Sequence, residues 1–126
     1  MDNWKWKVEN WRIVALSKEK ALILQLGSSS FISIYAILKK EFILSKQLLK
    51  AGTSIGANVA EAQQAQSKAD FISKISIALK EATETKYWIK LLRATDDLTQ
   101  EETESILKDC VENEKILTSI LKSSKK

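Results

Sequence analysis

A short run of cations and a trio of polar side chains are the residues of this 126-residue chain best placed to do chemistry. Lys86, Lys90 and Arg93 follow one another at steps of four and three, which puts them on one helix flank, and Lys68 falls on the same side several turns earlier. Such a ridge can hold phosphates of a nucleic acid. It can equally be a solvated flank whose members pair with acidic residues further along the chain. Lys39, Lys46 and Lys50 occupy another flank and read first as solvated. Asn58 and Glu61, three apart beside an apolar stripe, form with Glu84 a set that needs partners if buried, because an unsatisfied polar group costs about 1–3 kcal/mol. A structural network fixing helix register or oligomer geometry is the preferred reading of these three; a binding site is the second.

Other chemistry is excluded or unsupported. The chain has no His and one Cys, so imidazole acid–base catalysis, His-liganded metal and the Glu-x-x-His motif of carboxylate-bridged metal bundles are out of reach. One thiol cannot close an intrachain disulfide, which fits an intracellular setting. Asp96, Asp97, Glu101, Glu102 and Glu104 could hold Mg2+ through oxygen, but acidic residues at a helix start also complement its positive end, and that is the favoured explanation. Neither a GxxxxGK[ST] nor a GxGxxG loop is present. The expectation is a protein that is not an enzyme and takes no cofactor or metal.

The elements that position these residues are helices. No Pro and three Gly leave few breakers, while 44% hydrophobic and 29% charged residues fit one globular all-α domain. No secretory signal and no run of about 18 apolar residues occurs, so a cytoplasmic protein without a membrane span is expected. The net charge of +4 is uneven: residues 1–95 carry +7 and residues 96–126 carry −3. That gradient favours an anionic partner or pairing between subunits.

Residues 1–17 form a distinct arm in which Trp4, Trp6 and Trp11 interleave with Lys5, Lys7 and Arg12. Burial of the rings is preferred over stacking on bases. A four-helix bundle is expected over 18–122, with a polar tail at 123–126. The first helix, to about Lys39, is weakened at Gly27, Ser28, Ser29 and Ser30. The second, from about Lys40 to Gln64, has the stripe Leu44, Leu48, Gly52, Ile55, Val59 and Ala62. Its two glycines, Gly52 and Gly56, suggest close backbone approach of a packed helix.

Ser67 with Asp70 predicts the start of a third helix that ends near Thr95 and buries Phe71, Ile75, Ala78, Ala82 and Ile89. This helix is apolar on a second strip too, at Ile77, Tyr87, Trp88 and Leu91, which predicts a subunit contact. Thr99 with Glu102 predicts the start of the fourth, whose core face is Ile106, Leu107, Cys110, Leu117, Ile120 and Leu121. Cys110 there is a small apolar filler. Short links between four such helices give an antiparallel up-down bundle.

Residues 40–95, KEFILSKQLLKAGTSIGANVAEAQQAQSKADFISKISIALKEATETKYWIKLLRAT, closely resemble the four-helix-bundle proteins encoded in intervening sequences of bacterial 23S ribosomal RNA genes. The most specific stretches are residues 54–61, 67–71 and 77–84. The resemblance implies an all-helical subunit that assembles as a ring-like homopentamer, with nucleic-acid binding through a basic surface and no catalytic residues. Asn58, Glu61 and Glu84 match recurring polar positions of that motif. The expected function is therefore a non-enzymatic homo-oligomeric bundle that binds structured RNA or DNA, RNA before DNA. The alternative is a scaffold that binds a protein partner and no nucleic acid.

Overall fold

The computed structural model describes residues 43–125; the Trp-rich arm, the first expected helix with Gly27–Ser30, Lys39 and the last residue lie outside them. The described residues are all helical and contain no strand: α1 spans Ile43–Gln63, α2 spans Lys68–Ala94 and α3 spans Gln100–Ser124. These correspond to the second, third and fourth expected helices.

In α1 the stripe is buried as its spacing requires. Leu48, Ile55, Val59 and Ala62 are nearly inaccessible, Gly52 is buried, and Leu44 is half-buried at the edge. The helix runs unbroken through Gly52 and Gly56. Among the described residues, no atom beyond the adjoining backbone lies within 4 Å of a Cβ built at either glycine, so neither α2 nor α3 makes a close backbone approach there.

The turn to α2 is set by Ser67, in extended backbone, whose Oγ accepts the Asp70 N–H at 3.0 Å. The Asp70 carboxylate reaches one residue further back than a capping box requires and accepts the Gln66 N–H at 3.2 Å. α2 packs against both α1 and α3, while α1 and α3 barely touch. Its core residues Phe71, Ile75, Ala78, Ala82, Ile89 and Leu92 form one cluster with the buried faces of its neighbours. Each fully buried Leu or Ile in that cluster stabilises by about 1.5–3 kcal/mol.

α2 ends in a Schellman turn. Asp96 adopts φ of 60°, its N–H donates to the Arg93 carbonyl at 3.1 Å, and the Asp97 N–H reaches back to the Leu92 carbonyl at 2.9 Å. Leu98 follows, 1% exposed, plugging the core from within the turn. Thr99 then opens α3 with both bonds of a capping box: its Oγ1 accepts the Glu102 N–H at 3.1 Å and its own N–H donates to Glu102 Oε1 at 3.0 Å. α3 extends to Ser124, which is buried, so the polar tail is shorter than expected.

Candidate nucleic-acid interface

The four cations of the expected ridge have unequal surroundings. Lys86, half-buried, places Nζ 2.9 Å from Glu114 Oε1 on α3. Arg93 is drawn into the turn after α2: one guanidinium nitrogen lies 3.3 Å from Asp96 Oδ1 and donates to the Leu98 carbonyl, while Nε donates to Gln100 Oε1. Lys90 is exposed between them. Lys68 is 22 residues earlier, about 33 Å along the axis, and is not brought together with the rest. Lys86 and Arg93 thus each pair with an acidic residue in or beside α3.

Asn58, Glu61 and Glu84 are not joined to one another by any hydrogen bond. Asn58 Nδ2 donates to the Ser54 carbonyl of its own helix at 2.8 Å. Glu61 ties α1 to α2 through Lys74, with Oε2 2.9 Å from Nζ. That hydrogen bond and the attached attraction raise the Lys74 pKa above its ordinary value. Glu84 accepts the Trp88 indole N–H at 3.1 Å one turn along α2.

The second apolar strip of α2 is graded in exposure. Tyr87 is 59% and Ile77 38% exposed, whereas Leu91 and Trp88 are half-buried and Trp88 packs against the core. The rings of Tyr87 and Trp88 meet edge to face, with centroids 5.0 Å apart. Cys110 sits between α2 and α3, where its thiol donates to the Ala82 carbonyl at 3.2 Å. Burial pushes its pKa up to about 12, which makes it a packing residue and a poor nucleophile at neutral pH. Among the described residues no group of three or more acidic or Cys side chains gathers as a metal site, and no helix is long and apolar enough to cross a membrane.

Sequence reasoning missed two features of α3. Asn113 is 2% exposed on the core face, and its Oδ1 has no hydrogen-bond partner. The second half also lines an open depression, through Val111, Glu114, Lys115, Thr118, Ser119, Lys122 and Ser123. The signal for it was present: all eight acidic residues of 95–125 lie in 96–114, and 115–125 holds Lys115, Lys122 and Lys125 with no acid.

A family model described as 23S rRNA-intervening sequence protein matches residues 19–119. The chain belongs to that family. The resemblance carried by residues 40–95 therefore holds and extends to both sides. Membership of the 23S rRNA-intervening sequence proteins agrees with one solved structure, a protein of unknown function from the S23 ribosomal protein family of Bacteroides thetaiotaomicron VPI-5482. It is 52% identical, covers 78% of this chain and 94% of its own, and superposes with a TM-score of 0.71. No curated protein matches.

Proposed function

We propose that the chain is a non-enzymatic subunit of a cytoplasmic homo-oligomer, a four-helix bundle closing as a ring-like homopentamer, that binds structured nucleic acid, RNA in preference to DNA. The observation that carries this reading is the segregation of charge. Residues 43–94 hold eight basic and four acidic residues, and residues 95–125 the reverse, so +4 on the α1–α2 hairpin faces −4 on the remainder. The acids crowd into residues 96–114, so although Lys74, Lys86 and Arg93 each meet a carboxylate, the hairpin keeps a surplus of cations and residues 115–125 carry cations alone. Five copies multiply a surplus that is weak in one. The test is a titration of a labelled RNA hairpin at increasing salt. Binding at low salt that weakens steeply supports the reading, and no binding at low salt, or a flat response, removes it.

A second reading, a scaffold for a protein partner, is favoured by the exposure of Tyr87 and Ile77 beside half-buried Leu91 and Trp88. It predicts a discrete protein recovered with the chain from nuclease-treated lysate, and a lost partner on Tyr87→Ala.

A further inference from the structure

We infer that the phosphate backbone of the nucleic acid is gripped on the second half of α3, by Lys115 and Lys122 with the hydroxyls of Thr118, Ser119 and Ser123, and not along the α2 ridge. This rests on the nucleic-acid reading above and names its contact surface. The first ground is the state of the cations. Lys86 and Arg93 on α2 are already held by Glu114 and Asp96, which leaves only Lys90 of that close-set run unpaired, whereas Lys115 and Lys122 both make no ion pair among the described residues.

The second ground is the hydroxyls. A Ser or Thr inside a helix commonly bonds back to the carbonyl a turn earlier. Thr53, Thr83, Thr85, Thr95 and Thr103 do so, Thr99 caps α3, and Ser54 and Ser124 likewise bond back. Thr118 is the exception among the described threonines; Ser119 and Ser123 have no hydrogen bond there either, which they share with Ser73, Ser76 and Ser105. All three line the depression with the two lysines and remain available as donors.

The third ground is local charge. The one carboxylate in the lining, Glu114, is neutralised by Lys86 at 2.9 Å and also accepts the Thr83 hydroxyl at 3.4 Å. Lys125, one turn beyond Lys122, adds a further cation. The lysines at 115 and 122 are two turns apart, about 10 Å along α3. A duplex presents about six phosphate charges over that length, so both can engage one nucleic-acid backbone while the hydroxyls between them donate to phosphate oxygens. The helix dipole accounts for lysines in the last turn of α3. It does not account for Lys115, nor for the unbonded Thr118 hydroxyl on the same face.

The experiment measures anisotropy of a fluorescein-labelled RNA hairpin on the full chain between about 50 and 200 mM salt. The double variant Lys115→Gln with Lys122→Gln should bind about tenfold more weakly or worse, and the slope of log affinity against log salt should shrink by about two. Lys115→Arg with Lys122→Arg should keep most of the affinity, and Lys80→Gln with Lys90→Gln should lose little. Circular dichroism verifies that each variant is folded. RNA binding by the wild type that is unchanged in the Lys115→Gln, Lys122→Gln variant, or lost chiefly on changing Lys80 and Lys90, overturns the assignment while the nucleic-acid reading stands. Absence of wild-type binding at the lowest salt overturns both.

Discussion

α2 and α3 are of similar length and share one seam, yet they distribute their side chains in opposite ways. α2 spreads apolar residues around its circumference: Ile75 and Ile89 in the core, Ile72, Leu79 and Trp88 at its margin, Ile77 and Tyr87 facing outwards. α3 keeps Ile106, Leu117, Ile120 and Leu121 on one face and varies its charge along its length, acidic before Lys115 and basic from there on. The difference follows from position. Among the described residues α2 packs between two helices and is apolar on more than one side, while α3 packs on one and carries charge over much of its remaining surface. The angular spread of apolar residues therefore reports how many neighbours a helix has, and the axial spread of charge reports what its free side can meet.

The sharpest way to break this contrast is to delete a buried side chain of the central helix. Ile89→Ala should lower stability by about 2–5 kcal/mol in denaturant titration, because Ile89 is fully buried. Tyr87→Ala, two positions away but exposed, should leave the folded subunit within about 0.5 kcal/mol and reduce the mass of the proposed assembly in light scattering. A comparable loss of stability from both would erase the distinction between the two faces of α2.

The shared seam can be probed by pH. The Cys110 thiol has a folded-state pKa raised from the ordinary 9.0 to about 12, so its contribution is complete below pH 9 and is lost as pH rises from there towards 12. Stability should fall over that alkaline window in the wild type and less in Cys110→Ala. Native protein at neutral pH should resist alkylation until denaturant is added. Smaller effects belong to the turn between α2 and α3. Thr99→Ala removes a cap bond and should cost about 1 kcal/mol. Asp96→Gly relieves φ of 60° at the Schellman position and should add a few tenths to about 1 kcal/mol, read as a raised Tm.

The apolar stripes and both helix starts were legible because each rests on local rules. Leu48 to Ala62 follow the helical period, and the side chains of Ser67 and Thr99 hydrogen-bond three residues away. The buried polar residues were not legible. Thr85 and Thr103 enter the core because their hydroxyls donate to Glu81 and Thr99 carbonyls of their own helix, which hides the polar atom from any pattern of residue types. Leu98 was missed because it joins the core from a turn, outside any helical period. What the cations of the α2 ridge pair with was not legible for a different reason. Spacing puts Lys86 and Arg93 on one flank, but only the three-dimensional approach of Glu114 and the backbone reversal at Asp96 decide what they pair with. Asn58, Glu61 and Glu84 illustrate the same limit, since each finds a separate partner.

The arrangement in which α2 alone joins its two neighbours also sets a tempo. Both seams of the described residues link helices adjacent in the chain, so each forms by closing a connection of a few residues, with little entropy lost to long-range search. Topologies dominated by such local pairings reach the native state in roughly microseconds to milliseconds. A newly made hairpin of α1 and α2 can thus zip before α3 has left the ribosome, and α3 then needs only to fold back onto a surface already in place.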